Sequence, residues 1–221
     1  MNKLKALIYK VQPYGENGKL LFCYSRLGKV TLIARGSQKL NSDLRVLSQY
    51  LTEIEFEYQT FKTMMPLNKA KIINDFTSLK GNYYFIKEAS LILDLINRVY
   101  IDNIYHDKVY DLAITALNSK YISEASLSFA LKLTYYLGYG LELKGDGRKV
   151  IGLSLLKGGV VYQDEDYFID YNFEDTLLLF KLTYGNLTNI EKLDENKIKV
   201  FKDFIYNYYS SRVDINLKAL K

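Results

Sequence analysis

Apolar and polar positions alternate one by one through the first third of the chain, then shift to a helical period. Thr52, Ile54, Phe56 and Tyr58 interleave with Glu53, Glu55 and Glu57, the pattern of a half-buried strand with one acidic face. Val30, Leu32 and Ala34 interleave with Lys29, Thr31, Ile33 and Arg35, so one set faces a core and the other faces outward. Residues 4–11, 19–26, 29–35, 52–58 and 69–75 are five predicted strands, with Leu27-Gly28 as a turn between the second and third. Five short strands in about 75 residues suit a small closed barrel. Strand count alone leaves an oligonucleotide-binding (OB) barrel and an SH3-like barrel both open.

From residue 80 the spacing becomes helical. Phe85, Ala89, Ile92, Ile96 and Val99 form one apolar stripe, and Val109, Leu112, Ala113, Ala116 and Leu117 a second. Leu127, Ala130, Leu131, Thr134 and Leu137 form a third, with Ser123 as the expected N-cap and Gly138 as the stop. A last helix is predicted from Glu195 to Tyr208, capped by Asp194, with Ile198, Phe201, Ile205 and Tyr208 facing inward. Residues 149–169 break this pattern. Gly158-Gly159 between two β-rich runs predicts a β-hairpin inserted among the helices, at about 144–170. The expected organisation is therefore α+β in two domains, a β-barrel over 1–77 and a mostly helical domain over 78–221.

Charge sharpens this division. Residues 1–80 carry 13 Lys+Arg against 6 Asp+Glu, whereas the remainder carries 17 against 19. A basic module joined to a neutral one points to a polyanion partner. Lys29 and Arg35 on the outer strand face, and Lys39 and Arg45 in the loop after Arg35-Gly36, are the primary candidates for phosphate contacts. Arg26 and Lys10 are secondary ones. Three of the six acids lie on the 52–58 strand, which should point away from bound nucleic acid.

Other chemistry finds little support. One cysteine, Cys23, excludes an internal disulfide, and its alternation with Leu21 reads as a buried structural thiol. His106 is the only histidine, so no catalytic triad can be assembled, and no G-x-x-x-x-G-K-[ST] loop occurs. Asp164, Glu165, Asp166 and Asp170 form the densest acidic cluster but lack the regularity of a calcium loop. No apolar run approaches the ~20 residues of a bilayer span. Residues 1–12 alternate with Lys3, Lys5 and Lys10 instead of forming an apolar leader, so a cytoplasmic protein is expected. No cofactor is expected.

The segment 14–45 resembles the N-terminal domain of the RecO recombination mediators. The resemblance rests on Tyr14, Gly15, Glu16, Asn17, Gly28, Lys29, Arg35, Gly36, Ser42 and Arg45 in that order, and continues more faintly at 133–143, around Gly158-Gly159 and over 208–221. It favours the OB barrel. It further implies a non-enzymatic DNA repair and recombination mediator that binds single- and double-stranded DNA, anneals complementary strands and associates with the nucleoid. Implied partners are RecR, the acidic tail of single-stranded DNA-binding protein and, indirectly, RecA, with Lys132 and Arg148 as rim cations for the tail. In that family the hairpin region often carries four cysteines for zinc. Here the pairs would fall at 144–147 and 162–165, where no cysteine stands. The hairpin is therefore expected to be zinc-free and held by Leu153, Leu155, Val160 and Phe168. A protein-interaction adaptor with an incidental basic face and an RNA-binding OB protein are the alternative functions.

Overall fold

A computed structural model describes residues 1–220, so Lys221, the end of the resembling tail, lies outside the described residues. The chain begins with a six-stranded sheet. Its strands are β1 (Asn2–Tyr14), β2 (Gly18–Ser25), β3 (Gly28–Ala34), β4 (Thr52–Tyr58), β5 (Met64–Pro66) and β6 (Lys71–Asn74), in the order β5-β3-β2-β1-β4-β6. All pairs are antiparallel except β3 with β5.

The expected closed OB barrel is corrected by this order: β5 and β6 are the two edges of an open sheet and do not pair with each other. Closure fails for want of a bridging strand. β5 is three residues long, uses one edge on β3 and carries Pro66, which has no N–H to donate. β4 has both edges filled by β1 and β6. A cleft of about 770 Å³ remains between β5 and the end of β4, lined by Tyr58, Lys62, Met64, Pro66 and Lys69.

The predicted alternation decides what each face of the sheet buries. Leu4, Ala6, Ile8, Leu21, Cys23, Val30, Leu32, Ala34, Ile54 and Phe56 make an inner core, sealed by Leu44 and Leu47 of the short helix α1 (Leu44–Leu47). Each buried Leu, Ile, Val or Phe side chain among them contributes roughly 1.5–3 kcal/mol. Leu7, Tyr9 and Tyr24 point the other way and share a core with the helices. A bulge between Ile8 and Lys10 places Tyr9 and Lys10 together on this outer face, because Val11 already packs inward.

The helices are α2 (Thr77–Lys80), α3 (Tyr83–Arg98), α4 (His106–Leu117), α5 (Ile122–Tyr136), α6 (Phe173–Tyr184) and α7 (Glu195–Tyr208). α5 is buried on nearly every side, and its Ala and Ser positions admit close neighbours. Gly138, at φ +80°, ends it as expected. Ser123 does not cap it. Tyr121 holds the cap position, and the Ser123 hydroxyl sits 3.2 Å from the Tyr84 hydroxyl inside the first turn. Asp194 does cap α7, accepting from the Lys197 amide at 2.9 Å.

The inserted hairpin is β7 (Val150–Ser154) with β8 (Gly159–Tyr162), and β9 (Tyr171–Asn172) adds a third strand. Leu153 and Val160 are buried there, but Phe168 is 77% exposed and holds nothing together.

Candidate nucleic-acid interface

β3 separates Arg26 and Lys29 at its start from Arg35, Lys39 and Arg45 beyond its end, while Lys10 lies across β2 from its middle. Lys29 stands at the start and Arg35 just past the end, about 20 Å apart at the usual rise of a strand.

The turn end is engaged with the helices. The Lys29 ammonium donates to the carbonyls of Asn97 (3.0 Å) and Val99 (2.9 Å), where α3 leaves unpaired carbonyls at its negative end. Partial burial lowers the pKa of this lysine. Arg26 pairs with Asp111 of α4 at 2.7 Å. The Tyr110 hydroxyl donates to the buried Glu53 carboxylate at 2.7 Å, and His106 meets Tyr24. Two of the six cations therefore join sheet to helices and are not free for phosphate.

At the other end Gly36, at φ +72°, turns the chain away from β3. The following loop is tied to the β1–β2 turn. The Gln38 amide donates to Asn17 O at 3.0 Å and its side chain to Gly18 O at 2.6 Å. Asn17 and Gly36 of the resembling segment thus serve to place this loop. Arg35, Lys39 and Arg45 are exposed, and among the described residues no ion pair engages them. Arg45 projects from α1, whose Leu44 and Leu47 anchor it to the inner core. Lys10 is also exposed, 4.8 Å from the centroid of the Phe22 ring. Between Lys10 and Arg35 the cross-strand neighbours Leu20, Phe22 and Ile33 are half-buried. An apolar strip flanked by free cations can support bases while the cations meet phosphates. Lys19, which sequence reading passed over, donates to Ser48 O at 3.2 Å and braces the end of α1.

The acidic face of β4 is largely neutralised. Glu55 pairs with Lys71 at 3.0 Å and Glu57 with Lys69 at 3.4 Å, while Lys5 and Lys3 stand opposite them on β1. The hydrogen bond and charge of Lys71 hold the Glu55 carboxyl below its usual range. Glu53 is turned into α4.

Elsewhere, Cys23 is fully buried, as its alternation with Leu21 predicts, and burial pushes its thiol pKa up. Lys132 donates to Thr183 O and Gly185 O, both at 2.8 Å, closing the end of α6, so it is not a free rim cation. The positions of the two absent cysteine pairs, 144–147 and 162–165, do come together, since the Asp146 amide donates to the Tyr162 hydroxyl at 3.1 Å. Their donor set does not fit zinc: it has no thiolate or imidazole, and Asp146, Asp164 and Glu165 are all paired with Arg148. Among the described residues no group of three His, Cys, Asp or Glu side chains converges on a metal position. Of the other acids in that cluster, Asp170 accepts from the Leu155 amide at 2.7 Å. No described helix is long and apolar enough to cross a membrane.

The fold is thus a basic sheet docked on helices, with cations at one end that stand unpaired among the described residues. Residues 1–76 match the family model described as Recombination protein O N terminal, so the chain contains a RecO-type N-terminal domain. It is similar to the DNA repair protein RecO of Clostridium perfringens, 33% identical over 62% of this chain and 58% of that one. It is also similar to RecO of Bacillus mycoides, 27% identical over 60% of this chain and 53% of that one. In those alignments the chain spans about half the length of the curated relatives it matches. RecO of Bacillus cytotoxicus aligns over 98% of this chain and 94% of its own, at 22% identity. Each of these relatives is a DNA repair protein by name.

Proposed function

We propose that this protein is a recombination mediator that binds single- and double-stranded DNA through the phosphate backbone and anneals complementary strands. The observation that carries the reading is the free cationic set Arg35, Lys39, Arg45 and Lys10 around the half-buried Leu20–Phe22–Ile33 strip. Two DNA strands repel each other. A surface that neutralises both removes the barrier to pairing and releases counterions. Arg26 and Lys29 contribute indirectly, by fixing the sheet against α3 and α4. The similarity to RecO proteins further supports action with RecR in loading RecA onto DNA coated by single-stranded DNA-binding protein, whose tail the helical part would engage. It also supports residence in the cytoplasm, at the nucleoid.

Annealing of complementary labelled strands, with and without the cognate single-stranded DNA-binding protein, tests the proposal. The protein should accelerate annealing of both naked and coated strands. Acceleration of neither would overturn it. DNA binding that is insensitive to salt would favour the adaptor reading, and preference for RNA of the same sequence would favour the RNA-binding one.

A further inference from the structure

The region in which the family often carries zinc has a different centre in this chain. The Arg148 guanidinium lies 3.8 Å from the centroid of the Tyr162 ring. It pairs with Asp146 at 2.8 Å, Asp164 at 3.2 Å and Glu165 at 3.4 Å. Lys157, beyond β7, covers the same ring at 4.9 Å and pairs with Glu165 from its other side. Glu165 also accepts from the Tyr162 amide at 3.2 Å. Tyr162 itself is only 5% exposed and belongs to the core shared with the helices. One side chain, Arg148, thus gathers both of the segments that a four-cysteine site would join.

We infer that this arginine–tyrosine stack, ringed by three carboxylates, is the clamp that holds residues 144–165 on the helical core in place of a metal. Arginine suits the task because its planar guanidinium can lie on a ring and still present a fork of donors to carboxylates. A lysine can do one or the other but not both. Single exposed ion pairs contribute little, but here several acids share one cation whose position the buried ring fixes. The consequence is a change in what the subdomain responds to. A thiolate–metal site opens to chelators and oxidants. This clamp should ignore both and loosen as salt screens its charges.

Amide hydrogen exchange on the full chain tests the inference. In Arg148→Gln, exchange of β7 and β8 amides should rise roughly tenfold or more relative to those of α5. Arg148→Lys should restore only part of the protection, and Asp164→Asn should show a smaller effect of the same sign. The parent in EDTA should match the parent without it, while high salt should speed β7–β8 exchange selectively. Unchanged protection in Arg148→Gln, full rescue by lysine, or faster exchange in EDTA would each overturn the clamp. Should Arg148→Gln not fold, the lysine variant, Asp164→Asn and the salt response of the parent give the same decision.

Discussion

The Tyr24 hydroxyl lies 3.0 Å from Nδ1 of His106, and the two rings meet edge to face with centroids 5.6 Å apart. Nε2 lies 3.2 Å from the Asn103 side-chain oxygen, which can only accept, so the network assigns the proton to Nε2 and makes Tyr24 the donor to Nδ1. This contact joins β2 to the first turn of α4. Partial burial, reinforced by Lys29, lowers the His106 pKa below its ordinary value of about 6.5. The unfolded chain therefore binds the proton more readily than the folded one. Stability should be full above the unfolded pKa and fall as pH drops through it, levelling off below the folded pKa. Denaturant midpoints measured between neutral pH and pH 5 check this. His106→Gln should flatten that part of the profile, and an unchanged slope would show that the histidine is not responsible.

Lys29 and Arg35 occupy one strand and should behave as opposites. Lys29→Met removes the ammonium from the α3 carbonyls and should lower stability by about 1 kcal/mol. The salt dependence of DNA binding should change little. Arg35→Gln should leave stability within about 0.5 kcal/mol and reduce the salt slope by roughly one unit. Urea denaturation beside DNA titration at two salt concentrations reads both quantities for each variant.

Tyr110→Phe isolates the second sheet-to-helix link. The substitution keeps the ring in the core but leaves the buried Glu53 oxygen without its 2.7 Å donor. Loss of a partner at a buried carboxylate costs about 1–3 kcal/mol. Replacing both residues together, as Tyr110→Phe with Glu53→Gln, should cost less than the sum of the single changes, and a double-mutant cycle measures that coupling.

The hairpin should also report acid. Arg148 holds the Asp146 carboxyl down at about 2, and Lys157, through its hydrogen bond, lowers that of Glu165. Depressed carboxylates stabilise the fold above their unfolded pKa and stop doing so as pH falls through the folded one. Protection of β7–β8 amides should therefore survive to about pH 4 and decline towards pH 2. Arg148→Gln should move that decline to higher pH. Coincident profiles would separate the hairpin's order from this arginine.

Much of the fold was legible because alternation and helical spacing record burial directly. β4 and α7 lie where the pattern put them, and the outward face of β3 is the one the lysine and arginine mark. Barrel closure was not legible, since it depends on whether two edge strands find each other. β5, with Met64-Met65-Pro66, carries no strand signal at all. α6 was missed because Leu177, Leu178, Leu179 and Phe180 run together and blur the helical period. The cationic site was half legible. Charge is written in the sequence, but its partners are not. Nothing around Lys29 announces the α3 carbonyls 68 and 70 residues further on, and nothing around Arg26 announces Asp111. In sequence, Arg148 stands as a rim cation and the acids that surround it as a dense cluster without calcium-loop spacing. Only their juxtaposition joins the two.

We propose that the free cations of the basic sheet bind the DNA backbone. Fluorescence anisotropy of a labelled single strand, titrated with the parent and with a Lys10→Glu, Arg35→Glu, Lys39→Glu, Arg45→Glu variant at low and moderate salt, tests it most directly. The parent should bind tightly at low salt and weaken steeply as salt rises. The variant should keep the parent's circular dichroism and thermal midpoint yet lose most of this affinity and most of its salt dependence. A folded variant that binds DNA as the parent does, at both salt concentrations, would contradict the account.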